Sequence, residues 1–235
     1  MTRARSEQTP SAPGVRRSRS TELAQAVVAL ITDRDLAPGS PLPTEAQLTA
    51  DLRTSRGPLR EALKALQALG IVEVRHGYGT FVGPATADAM LPWLSFRART
   101  RSALADLLDV RELLEIGLTL RLARSGVPAP VLAELRGCVA TMGLGGHRAA
   151  RADQRFHEII CEAAGNELAK DLVRIFWQAY VDAEQEVGVP RSNPAELAER
   201  HDRIVAALVR GDDSGVADTV RRHFDEVRGR LAPER

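Results

Sequence analysis

In the segment "ADQRFHEII", Asp153 and His157 stand four residues apart, so on a helix a carboxylate and an imidazole share one face, a turn from each other. That spacing suits two ligands of one metal ion, and it suits a surface ion pair as well. Two further histidines bear on the choice. His201 in "AERHDRIVAAL" and His223 in "RRHFDEV" each fall at the core edge of a helical pattern, so three of the five histidines can converge. One carboxylate with three imidazoles suits a divalent metal, Zn first with Ni, Mn or Fe as alternatives, and leaves room for a ligand if the metal is five- or six-coordinate. His147, in "TMGLGGHRAARAD", lies in an expected loop and is not assigned to the metal. A second group of chemical interest is basic: Arg56 and Arg60, also four apart, share one side of a segment whose Leu59, Leu63 and Leu66 face the other way. Arginine can bond both N7 and O6 of guanine, although two arginines on a solvated helix face would look the same in an arbitrary helix.

The elements that must position these residues are mostly helices. Only 4% of the chain is aromatic, 44% is apolar, and Ala, Leu, Val and Arg are abundant, a balance that favours helices over a many-stranded sheet and excludes disorder as the default. Six helical segments are expected near 104–125, 129–142, 150–164, 167–187, 195–210 and 213–230, separated by turn-like stretches such as "SGVPAP" and "RGDDSG". Upstream, a helix starts near Ser20, and "LAPGSPLP" ends it. Thr44 with Gln47 has the form of a capping box for a short second helix, and Ser55 or Gly57 caps a third that stops at Leu69-Gly70. The period then changes: "IVEVR", the turn "HGYG" and "TFV" make a two-strand ribbon. Short helix, tight link, third helix and wing are the parts of a winged helix-turn-helix, whose third helix enters the major groove of DNA.

Charge supports that division of labour. Up to Pro84 there are 11 Lys and Arg against 8 Asp and Glu, a net of +3, whereas the remaining 21 against 23 leave −2. Arg3, Arg5, Arg16, Arg17 and Arg19 fall in a Ser/Pro/Gly-containing stretch without apolar periodicity, expected to be a flexible basic arm that either adds phosphate contacts or is simply solvated. The expected organisation is therefore an arm over 1–19, a winged helix-turn-helix over 20–84, a linker over 85–103 and a helical domain over 104–232. Cys138 and Cys161 lack metal-type spacing and are expected to be reduced core thiols. No apolar run is long enough to span a bilayer and the start lacks the apolar segment of a secretory signal, so a cytoplasmic location is expected.

The stretch "LAPGSPLPTEAQLTADLRTSRGPLREALKALQALGIVEVRHGYGTFV" resembles the winged-helix domain of GntR-type regulators, with its PG, LP-[ST]-E, REAL and G-x-G elements. The resemblance implies that Ser55, Arg56 and Arg60 contact the major groove and phosphates, and that His76 with Gly77 forms the wing tip near the minor groove. Ala46 stands where the family often has Arg, so one contact of the family is lacking or supplied elsewhere. Over residues 104–230 the D-x-x-F-H element and the two later histidines resemble the FCD-type effector domain of the FadR branch. That likeness implies a helical bundle with Asp153, His157, His201 and His223 around a buried metal, a small carboxylic acid effector beside it, and a homodimer. Arg111 and Glu115 in "DLLDVRELLE" match the family's R-x-x-[LI]-E spacing. Arg111 is then a candidate clamp for the effector carboxylate, because guanidinium meets carboxylate with two parallel bonds; an ion pair within the helix is the other reading. The function expected is that of a DNA-binding transcription repressor, released from or modulated on double-stranded operator DNA by a small carboxylate bound near a metal, with no membrane partner. A regulator sensing the metal itself is the alternative. A metal-dependent hydrolase is the other class, but no second acid or base constellation stands beside the cluster.

Overall fold

The computed structural model describes residues 18–187 and 193–231. Arg3, Arg5, Arg16 and Arg17 of the expected arm lie outside the described residues, whereas Arg19 opens the first helix. The chain divides after Ala85 into two compact units, each with a hydrophobic cluster of its own.

The first unit contains α1 (Arg19–Asp33), α2 (Glu45–Asp51) and α3 (Arg56–Ala68), then β1 (Val72–Arg75) and β2 (Gly79–Val82). Ser18, two residues before the expected start, caps α1 by accepting from the Thr21 N–H. Seven residues are too few for a helix to persist alone, and α2 is held by the reciprocal Thr44–Gln47 capping box and by the fully buried Leu48. Ser55 is the extended residue before α3, and Gly70, at φ 68°, turns the chain away after it. Leu59, Leu63 and Leu66 of α3 join Val27, Leu48, Val72 and Val82 in one core. The hairpin pairs Val72 with Val82 and Arg75 with Gly79, and Gly77 and Gly79 supply the positive φ of its turn. Residues ahead of α2 brace this wing: the Leu42 N–H donates to the Thr80 carbonyl and the Val82 N–H to that of Ser40.

The second unit begins with a 3-10 turn (Ala87–Met90) and α4 (Leu91–Arg97), followed by α5 (Arg101–Ser125), α6 (Ala129–Met142), α7 (Gly146–Ala163), α8 (Glu167–Val187), α9 (Pro194–Arg210) and α10 (Asp213–Gly229). The linker expected over 85–103 is corrected here. Leu94 and Ala98 enter the bundle core, and Asp88 is tied to Arg174 of α8 at 2.6 Å, so most of this segment is a structured strap of the second unit. His147 lies exposed in the first turn of α7, which starts four residues earlier than the sequence suggests. Cys161 is fully buried and Cys138 partly so, both as free thiols. The long helix α5 packs against α7, α8, α9 and α10. Its inward stripe of Leu104, Leu108, Leu118 and Leu122 is interrupted by two buried charges, Arg111 and Glu115. Among the described residues no helix is long and apolar enough to cross a membrane.

Candidate metal centre and nucleic-acid interface

Four helices place a cluster of polar side chains in the largely apolar interior of the second unit. Asp153 and His157 come from α7, His201 from α9, His223 from α10, and Arg111 and Glu115 from α5, all of them buried. One ring nitrogen from each of the three histidines lies within 4.8 Å of the other two. Asp153 Oδ1 stands 3.0 Å from His201 Nε2 and 3.3 Å from His157 Nε2, and those two nitrogens are 3.3 Å apart. The pair of residues spaced four apart on α7 is therefore interior, not a surface ion pair.

The far side of each ring fixes its tautomer. His201 Nδ1 lies 2.8 Å from the Leu197 carbonyl oxygen, which can only accept, so Nδ1 carries the proton and Nε2 presents a lone pair. His157 Nδ1 lies 2.5 Å from Glu115 Oε2, with the same consequence. When neither ring carries a second proton, two imidazole lone pairs and a carboxylate oxygen face one another, and Asp153 Oδ1 then receives no hydrogen bond among the described residues. Lone pairs repel at this range, and burial removes the water that would otherwise separate them. A cation at their centre reverses the sign of the interaction. Ligands about 2.0–2.1 Å from a tetrahedral Zn stand roughly 3.3 Å from each other, close to the separations found here. His223, whose buried Nδ1 also lacks a hydrogen-bond partner among the described residues, completes the group.

The charges are mutually adjusted. Burial would push the His157 imidazole down, but the Glu115 charge, with Asp153 beside it, outweighs burial and carries the metal-free ring up to about 9, so that without a metal a proton takes the position that a cation would hold. Burial would raise the Asp153 carboxyl, yet His201 and His157 hold it well below the usual carboxylate range. Glu115 is lowered in the same way, with His157 and Arg111 overcoming burial. His223 moves well down, driven first by burial and then by the charges of His201 and His157.

Glu115 is the residue that sequence reasoning missed as part of this centre. It accepts from Arg111 Nε at 3.1 Å and Nη2 at 2.9 Å through Oε1, while Oε2 faces His157. The ion pair within the helix, the second of the two readings of Arg111, is formed. The guanidinium is further enclosed by Trp177 and Phe224, whose ring centroids lie 5.0 and 5.4 Å from its carbon. A carboxylate that holds the second nitrogen of a ligating histidine fixes the ring and raises its basicity. Beside His223 a narrow opening is lined by Arg200, Arg203, Thr219 and Arg222.

In the first unit, Ser55, Arg56 and Arg60 are exposed at the N-terminal end of α3, and His76 and Gly77 are exposed at the turn of the wing. Tyr78, next to them, is 85% exposed. Arg60 Nε donates to Glu45 Oε2 of α2 at 2.9 Å, so its side chain is already directed before any partner arrives. Ala46, exposed beside Glu45, offers no charge.

Residues 19–82 match the description "Bacterial regulatory proteins, gntR family" and residues 106–226 match the FCD domain. The HTH-type transcriptional regulator LutR of Bacillus subtilis (strain 168) is 28% identical over 207 residues, which is 84% of this chain and 94% of that protein. The Glc operon transcriptional activator of Escherichia coli (strain K12) is 34% identical over 159 residues, 62% of this chain and 61% of that protein. Among solved structures, Streptococcus agalactiae GntR superposes with a TM-score of 0.65 at 23% identity, over 89% of this chain and 99% of that one, a likeness of fold. The chain belongs to the GntR family of bacterial transcription regulators, in the branch that carries an FCD domain, and it works by binding DNA, not by turning over a substrate.

Proposed function

We propose that the helical bundle of this regulator holds a divalent metal, zinc in the first instance, between Asp153, His157, His201 and His223. A small carboxylate metabolite bound beside the metal then alters the protein's hold on a palindromic operator that it occupies as a homodimer. The observation that carries this reading is the buried meeting of Asp153 Oδ1 with His201 Nε2 at 3.0 Å and His157 Nε2 at 3.3 Å, with a ring nitrogen of His223 in the same group. A bound metal supplies positive charge and open positions to carboxylate oxygens. Arg200, Arg203 and Arg222 border the opening beside His223, and with Glu226 shared between Arg200 and Arg203 they still leave a positive balance for such an anion's approach. Arg111 has Nε and Nη2 committed to Glu115, so its role in this reading is to hold Glu115 against His157.

On the DNA side, Ser55, Arg56 and Arg60 enter the major groove and His76 with Gly77 lies beside the minor groove. Repression is the mode proposed, because a protein seated over a promoter blocks transcription without any further contact. The site of action is then the cytoplasm.

Metal analysis of the purified chain is the direct test. The wild type is expected to retain a stoichiometric divalent metal and the Asp153→Ala, His157→Ala double variant to lose it; a double variant with full metal content would end this reading. For the operator, Arg60→Ala is expected to weaken binding by about 1–3 kcal/mol if its contact is a bidentate one to guanine. An unchanged, salt-insensitive mobility shift would remove α3 from the groove.

A further inference from the structure

The outer side of α7 carries a second set of cations, turned away from the histidines. Arg148, Arg151 and Arg155 recur at intervals of three and four residues, which sets them along one face of the helix. They border a groove of about 530 Å³ between α6 and α7, lined also by Glu134, Gly137, Cys138, Thr141, Ala152 and Ile159. The groove is shallow and open to solvent, so a ligand there would rest one face on the floor and be held at the rim. Its floor is apolar, and Gly137 contributes to its width, since a Cβ added there would meet nothing within 4 Å.

The three arginines are not equivalent. Arg155 is answered by Glu162 at 3.0 Å, Glu134 at 3.5 Å and Glu158 at 3.8 Å. Neither Arg148 nor Arg151 has an ion-pair partner among the described residues. Two guanidiniums on the rim of an apolar groove match a ligand with an anionic head and an apolar body, because each fork can meet a carboxylate with two parallel bonds while the floor removes hydrocarbon from water.

We propose that this groove is a binding site for an amphipathic monocarboxylate, with Arg148 and Arg151 holding the carboxylate and the Gly137, Ala152 and Ile159 floor taking the chain. It is separate from the histidine cluster, although Ala152 of the groove directly precedes Asp153 of the cluster on α7. The apolar part distinguishes it from a site for inorganic anions, and the arginines from a site for neutral hydrocarbon.

Octanoate is the probe, with octanol and inorganic phosphate as its two halves. Cys138 is a built-in reporter, since it lines the groove while Cys161 is buried. Burial pushes the Cys138 thiol up, so alkylation by iodoacetamide is followed at alkaline pH by peptide mass spectrometry. Octanoate is expected to slow Cys138 alkylation at least fivefold and phosphate to leave it unchanged, with octanol much weaker than octanoate. Arg148→Ala with Arg151→Ala should reduce octanoate affinity at least tenfold by calorimetry. Gly137→Leu, which fills the groove without altering charge, should do the same. The Asp153→Ala, His157→Ala variant should bind octanoate in the groove as the wild type does, so that failure of the metal reading and failure of this one are separable. Equal protection by octanol, or protection that survives both groove variants, would overturn the proposal.

Discussion

Glu115 sits between a permanent cation and a candidate metal ligand, and its two oxygens divide the work, Oε1 neutralising Arg111 and Oε2 orienting His157. Glu115→Gln keeps the shape and removes the charge, so two consequences are expected together. Metal affinity, measured by competition with a chromophoric chelator, should fall about 10–100-fold because His157 loses its carboxylate partner. Stability of the bundle, measured by urea unfolding, should fall by about 3–5 kcal/mol because Arg111 is left as a buried charge without its counterpart. An undiminished affinity in a folded variant would reduce Glu115 to a salt-bridge partner. The sequence makes Asp153 and His157 legible as a pair because helical periodicity alone brings them to one face. His201 and His223 are visible as candidates at core edges, but their meeting depends on how α9 and α10 pack. Glu115 is visible only as the partner of Arg111, since its contact with His157 exists through the packing of α5 on α7, which spacing within one helix cannot express.

Helix α4 shows where element-scale reading fails and why. A seven-residue helix spans barely two turns, so its apolar period has too few repeats to stand out, and Pro92 with the surrounding arginines has the composition of a connection. Its burial rests on Leu94, 6% exposed, and on Ala98 just after it. Leu94→Ala is accordingly expected to cost about 2–5 kcal/mol in bundle stability, where a solvated linker would register almost nothing in the same denaturation. The hairpin and the three N-terminal helices are, by contrast, open to sequence reasoning because Gly, Pro and capping residues punctuate them. Two glycines, one after the wing and one in α5, separate a need for close backbone approach from mere tolerance. A Cβ on Gly83 would lie 2.1 Å from the Gly70 carbonyl oxygen, whereas one on Gly117 would meet nothing within 4 Å. Gly83→Ala should therefore displace the base of the wing and weaken operator binding, while Gly117→Ala should stabilise α5 by about 1 kcal/mol. Thermal melts of the two variants should move in opposite directions.

At the scale of the whole chain, two hydrophobic clusters belong to two units, and the candidate metal centre lies inside only one of them. A metal that binds the folded bundle and not the unfolded chain stabilises it by mass action, about 2.7 kcal/mol when free metal is a hundred times the dissociation constant. For a unit of this size each kcal/mol moves the midpoint by roughly 2–4 °C, so stripping the metal should lower the bundle transition by about 5–10 °C. The winged unit has its own core around Leu48, Leu59 and Val72 and contributes no residue to the histidine cluster, so its transition should hold its midpoint. Differential scanning calorimetry with and without chelator reads both at once. In Asp153→Ala the lower bundle midpoint should be present from the start and insensitive to chelator, which distinguishes loss of the metal from a general effect of the reagent. A chelator that shifted neither transition in the wild type would mean that the cluster holds no stabilising metal, and the lone pairs of His157 and His201 would then have to be separated by a proton alone.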